Sequence, residues 1–131
     1  MISKINPRQK AATQEQLRKV PELYAQDGLG WDAKVFIKYF NRGLTWFVTE
    51  LDQEQGLAFG YVLNHMDPRS SELGYISLEE LSKVTNPMLW IERDLHFPVG
   101  EMTIREAVES AGYSSLTPQE EESLEEQIFN S

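Results

Sequence analysis

Residues Lys34–Leu63 read KVFIKYFNRGLTWFVTELDQEQGLAFGYVL, and this run decides the fold. Its first part, Lys34–Phe40, alternates Val35, Ile37 and Tyr39 with Phe36, Lys38 and Phe40, the period of two that sends successive side chains to opposite faces of a strand. Asn41-Arg42-Gly43 is a turn-forming triplet, Leu44–Leu51 is again β-branched and aromatic, Asp52–Gly56 turns the chain once more, and Leu57–Leu63 follows. Three strands joined by such short polar turns pair as an antiparallel meander. Gly60, inside the third strand, marks a bulge or a place where another backbone comes close.

Working outward, residues 1–12 are polar and basic with Pro7, and read as a loose N-terminal arm. Between Thr13 and Gln26, the 3/4 spacing of Leu17, Val20, Leu23 and Tyr24 predicts one face of a helix that ends or restarts at Pro21, where the ring removes a hydrogen bond. Downstream, Glu72–Ile76 predicts a short fourth strand, and Ser77-Leu78-Glu79-Glu80 is a capping box opening a helix to about Val84. Asn86-Pro87 stops it, and Leu89–Phe97 (LWIERDLHF) reads as extended up to Pro98. A second capping box, Thr103–Glu106, starts a helix with Ile104, Ala107, Val108 and Ala111 inward and Gly112 as its stop. A third, Thr117–Glu120, opens an acidic C-terminal helix over 114–131. The expectation is a single α+β domain with its core over 13–113: a short antiparallel meander of about three to five strands, an N-terminal helix, and short C-terminal helices packed on one face.

Composition agrees with one folded core, since 131 residues with 40% hydrophobic content, three Trp, five Tyr and six Phe can bury enough apolar surface to offset ordering. The absence of cysteine excludes disulfides and thiolate zinc sites. MISKINPRQK lacks the apolar core of a signal peptide, and no stretch approaches the roughly 20 apolar residues that span a bilayer, so the expectation is a cytoplasmic protein with no membrane association. A formal charge of -9, from 21 acidic and 12 basic residues, repels phosphate backbones and argues against direct nucleic-acid binding.

Four strings carry a resemblance: Trp46-Phe47-Val48-Thr49-Glu50-Leu51-Asp52, Phe59-Gly60-Tyr61-Val62, Glu72-Leu73-Gly74-Tyr75-Ile76-Ser77-Leu78-Glu79-Glu80-Leu81, and Ile91-Glu92-Arg93-Asp94-Leu95-His96-Phe97. In this order, with Leu23-Tyr24 ahead of them, the chain resembles an uncharacterised bacterial domain of unknown function over about residues 17 to 100. Members of that family are often encoded on plasmids, integrative elements and phages, so the resemblance implies an accessory role. It brings no catalytic residues.

Among candidate sites, Glu92, Asp94 and His96 fall on one face if their segment is extended, and two carboxylates with an imidazole could hold a hard divalent cation. Glu50 and Asp52 would join them if their strands were neighbours. The competing reading is a solvated strand face with local ion pairs. His65, at a strand end, reads as a locally bonded imidazole. There is no G-x-S-x-G, P-loop, dinucleotide fingerprint or H-E-x-x-H. Trp46, Tyr61, Tyr75 and Trp90 are either core or, where a sheet face is uncovered, a docking surface for another protein. Glu120, Glu121, Glu122 and Glu125 are either a solvated helix face or an array imitating DNA phosphates. The function that follows is a non-catalytic accessory protein that needs no cofactor and binds a protein partner through its sheet face or acidic helix. An inhibitor of a DNA-binding or defence enzyme by DNA mimicry is the alternative, and a small carboxylate and histidine metal enzyme comes third.

Overall fold

The computed structural model describes residues 14–82 and 91–113. In chain order these form α1 (Gln14–Arg18), β1 (Ile37–Phe40), β2 (Leu44–Asp52), β3 (Leu57–Asn64), β4 (Glu72–Ser77), α2 (Leu78–Ser82), β5 (Glu92–Arg93) and α3 (Ile104–Ser110), with 3-10 turns at Gly30–Asp32 and Pro68–Ser70. The expected N-terminal arm, the remainder of the helix expected to about Val84, Trp90 and the acidic segment over 114–131 lie outside the described residues.

The meander is present, and the fold is α+β. Every pairing is antiparallel and the strand order is β4-β3-β2-β1-β5, so β5 returns to lie beside β1. β2 is the middle strand, and its residues from Thr45 to Leu51 are all buried, because helices or loops cover it on both sides. One core joins Ile37, Tyr39, Trp46, Val48, Leu51, Ala58 and Ile76, with Leu17, Leu78 and Leu81 packed on it. The other joins Phe47, Tyr61 and Leu63 to Ile104, Ala107 and Val108 of α3, with Trp31 and Phe97 alongside. Burying each such side chain stabilises the fold by roughly 1.5–3 kcal/mol. The helices therefore divide between the two faces instead of packing on one: the opposite faces of β2 and β3 are both apolar, and each needs its own cover.

Three local expectations need correction. The helix expected to end or restart at Pro21 stops at Arg18 and does not restart, and Leu23 and Tyr24 leave the face shared by Leu17 and Val20. Pro21 cannot continue the helical bonding, and its carbonyl instead accepts from Leu51 N–H, aligning the next residues with the end of β2. The first strand begins only at Ile37, because Ala33 and Val35 bond to Gly100, Met102 and Ile104. The extended segment after Trp90 is short: β5 ends at Arg93, Asp94 N–H bonds Lys38 carbonyl, and the Asp94 side chain accepts from His96 N–H to turn the chain.

Gly60 and the register around it shape the site. Strands β2 and β3 pair Val48 with Gly60 but Glu50 with Phe59, which leaves Thr49 as the extra residue of a β-bulge. A Cβ on Gly60 would stand 1.9 Å from the Phe47 carbonyl oxygen, so the two backbones approach as closely as they do only because no side chain is there. α3 is opened by the capping box read from sequence, with Thr103 Oγ1 accepting from Glu106 N–H and Glu106 accepting from Thr103 N–H.

Candidate functional site

The bulge reverses which residues of β2 share a face. Strict alternation would put Glu50 with Trp46 and Val48, inside the first core. With Thr49 inserted, Leu51 takes that place, and Glu50 turns to the opposite face beside its partner Phe59. Thr49 Oγ1 donates to the Phe59 carbonyl, and the Gln26 amide donates to the Thr49 carbonyl, so the polar groups of the bulge are satisfied.

Glu50 is 5% exposed, and its two carboxylate oxygens accept from the backbone N–H groups of Tyr24 (2.9 Å) and Gln26 (2.6 Å). Hydrogen bonds to a carboxylate are roughly twice as strong as neutral ones, and here they hold a loop with little packing of its own. Gln26 completes the clasp: its Oε1 accepts from Lys34 N–H and its Nε2 donates to Lys34 carbonyl. Tyr24 sits at φ +73°, and among the described residues it is the one non-glycine residue in left-handed backbone conformation. That conformation costs an ordinary L-residue about 1–2 kcal/mol, which the bond to Glu50 offsets.

Between this loop and the sheet lies a cleft of about 410 Å³. The loop side is made by Leu23, Tyr24, Gln26 and Asp27, with Gly28 and Gly30 at the end, and the sheet side by Glu50, Phe59, Leu73 and Tyr75. Tyr24, Leu73 and Tyr75 are 67%, 43% and 56% exposed, which places large apolar side chains at the mouth. Tyr24 and Tyr75 share a hydroxyl to hydroxyl bond of 3.1 Å across the opening, and Tyr75 meets Phe59 edge-on with centroids 5.3 Å apart. That bond is the main cause lifting the Tyr75 phenol above its ordinary value, and the nearby Glu50 and Asp27 push the same way.

The other sequence candidates fall elsewhere. Trp46 is within the first core, and Tyr61 is within the second, with its ring 4.9 Å from Trp31, so of the described aromatic candidates Tyr75 is the one that faces solvent. Asp94 pairs with Lys38 at 3.6 Å and caps the turn at His96. Among the described residues no three His, Asp or Glu side chains are grouped so as to hold a metal ion, and Glu92, Asp94 and His96 follow a strand that ends and turns. Nor do Glu50 and Asp52 join them: Glu92 pairs with Phe40, which lies opposite Thr45, so Glu50 is five positions further along β2, on the order of 15 Å at the usual rise of a strand. Asp52 accepts from Glu54 and Gln55 N–H in the turn after β2. His65 Nε2 lies 2.6 Å from Thr45 Oγ1, and its ring packs edge-on against Tyr113. Burial first, then Lys38, holds the imidazole below its ordinary value, while Thr45 is buried beyond the reach of a substrate. Trp90, Glu120, Glu121, Glu122 and Glu125 lie outside the described residues.

Asp27, Phe59 and Leu73 were not singled out as site residues by sequence, and Tyr24 was read as part of a helix face. The available signal was Glu50, an acidic residue between Thr49 and Leu51 in a mostly apolar strand, which implies a buried carboxylate needing partners.

These features define an α+β domain with one aromatic-rimmed cleft on the loop side of its sheet. The chain belongs to a family described as a protein of unknown function (DUF2958), whose model matches residues 5–114. That match agrees with the resemblance carried by the strand and helix strings and leaves the acidic glutamates outside it. No curated protein and no solved structure matches the chain. Among the described residues, no helix is long and apolar enough to cross a membrane.

Proposed function

We propose that this protein is a non-catalytic accessory domain that docks a protein partner in the cleft between Tyr24 and Tyr75. The observation that carries the reading is the gathering of exposed Tyr24, Leu73 and Tyr75 around an open cavity beside the sheet. Large apolar side chains that cluster at a concave opening mark interaction sites, and the volume lies within the roughly 300–1,000 Å³ range of ligand clefts. Tyr24 supports it further, because backbone strain of this kind concentrates where a side chain must be presented in one particular way. The described hydroxyls of the cleft are engaged with one another or with the backbone, Tyr24 with Tyr75 and Thr49 with the Phe59 carbonyl, and none of them is paired with a base. A bacterial mobile element is the proposed setting and the cytoplasm the proposed compartment.

The test is affinity capture from the host with the wild-type protein and with a Leu73→Ser/Tyr75→Ser variant, whose fold is verified by circular dichroism. A partner held by the wild type from about 50 to roughly 500 mM salt and lost from the variant supports cleft docking. A partner kept by the variant but released by salt would instead identify the acidic segment containing Glu120, Glu121, Glu122 and Glu125 as a DNA mimic.

A further inference from the structure

The charge lining the cleft is one-sided. Of the side chains lining it, Glu50 and Asp27 are acidic and none is basic. Both Nε2 hydrogens of Gln26 are committed to the carbonyls of Lys34 and Thr49, and the Thr49 hydroxyl is committed to Phe59. The Tyr24 and Tyr75 hydroxyls share one bond, and the charged capacity that remains in the cleft is that of acceptors alone. A carboxylate offers about four lone-pair sites, and the two N–H bonds to Glu50 use about half of them. Among the described residues, no basic side chain pairs with Glu50 or with Asp27. A buried carboxylate gains from a further charged donor, and Tyr24, Phe59 and Tyr75 are among the side chains around it.

Resting on the docking reading above, we infer that the cleft selects a cationic group, the guanidinium of an arginine side chain presented by the partner protein, held between the acceptors Glu50 and Asp27 and the aromatic side chains of Tyr24, Phe59 and Tyr75. A guanidinium suits this inventory because it is donor-only, stays charged at all working pH values, and is flat and weakly hydrated, so it lies against aromatic rings at less desolvation cost than an ammonium. The charge of -9 on the whole chain draws a basic segment toward the opening. A neutral apolar side chain would fill the same space but would leave the acceptors stripped of water and unpaired, which is how a polar site rejects an isostere.

The experiment is a titration followed by amide NMR, watching Gly28, Gly30 and Thr49, with the blocked tripeptide acetyl-Leu-Arg-Leu-amide and with its citrulline counterpart, which has the same shape and no charge. The arginine peptide is expected to shift these amides saturably and to bind at least about tenfold more tightly than the citrulline peptide. Asp27→Asn, at an exposed position that leaves the Glu50 clasp intact, is expected to weaken the arginine peptide about threefold and leave the citrulline peptide unchanged. Equal binding of the two peptides would overturn the cationic assignment while leaving cleft docking in place. Absence of any shift at the cleft amides, or shifts confined to other residues, would also overturn it. Cleft docking is decided separately, by whether the Leu73→Ser/Tyr75→Ser variant loses its captured partner. A lysine peptide binding as tightly as the arginine peptide would reject the guanidinium in favour of an ammonium.

Discussion

At one end of the sheet's second face, α3 buries Ile104, Ala107 and Val108 against Phe47, Tyr61 and Leu63. At the other end, the loop around Tyr24 and Gln26 spans the same face without filling it, tied to the Glu50 carboxylate and, through the Gln26 side chain, to Thr49 and Lys34. Apolar packing excludes everything else from the first end. Hydrogen bonds at the second fix the position of the loop while leaving a cavity and three large exposed apolar side chains. The comparison shows how one small sheet can be covered in two ways: the packed end holds the fold, and the bonded end holds a shape.

Substitutions test that division. Phe47→Ala, at the packed end, removes a fully buried ring and is expected to cost about 4 kcal/mol, seen as a cooperative fall in Tm shared by all probes. Gly60→Ala, at the junction of the two ends, drives a methyl into the Phe47 carbonyl and is expected to cost about 3 kcal/mol by forcing β2 and β3 apart; a small effect in thermal unfolding would show that the bulge can relax. Glu50→Ala leaves two backbone N–H groups without their acceptor and is expected to cost about 2 kcal/mol, mostly locally, so hydrogen exchange should accelerate at Tyr24 and Gln26 more than at Phe47 or Leu63. Uniform acceleration across the sheet would erase the distinction between the ends. Thr103→Ala removes the cap of α3 and is expected to cost about 1 kcal/mol.

Acidification gives the smallest and most selective test, because both groups concerned belong to the packed end. Hydrogen bonds from Thr103 hold the Glu106 carboxyl below its ordinary value, so its contribution is complete above the usual carboxylate range and is lost as pH falls through the folded value. His65 is also held down, by burial and then by Lys38, so the folded state favours the neutral ring; that contribution is present above the ordinary 6.5 and is lost as pH falls through the lower folded value. Tm should therefore decline from neutral to acid pH in two steps, with Glu106→Gln removing the lower and His65→Gln the upper.

The strands were legible because their signals are local. Alternation in Ile37–Phe40, the turn residues of Asn41–Gly43 and Asp52–Gly56, the close approach at Gly60 and the capping box at Thr103 each depend on a few adjacent residues. Tyr24 was misread for the opposite reason. Its 3/4 spacing from Val20 and Leu17 is a real helical signal, but Pro21 ends the helix and the Glu50 carboxylate, far away in sequence, captures its N–H in a conformation that no local pattern announces for a tyrosine. The Glu92, Asp94 and His96 grouping followed from assuming an extended segment, whereas Asp94 turns the chain within two residues.

The amino-acid sequence by itself determined the strand succession, the antiparallel meander, the cap of α3 and the net charge of -9, since each of these depends on near neighbours or on totals. Only the tertiary structure decided which side of the sheet receives Glu50, because a single inserted residue between Val48 and Glu50 reverses every later side chain, and that insertion exists only in the register between β2 and β3. The cleft, its acceptors and its exposed tyrosines all follow from that reversal.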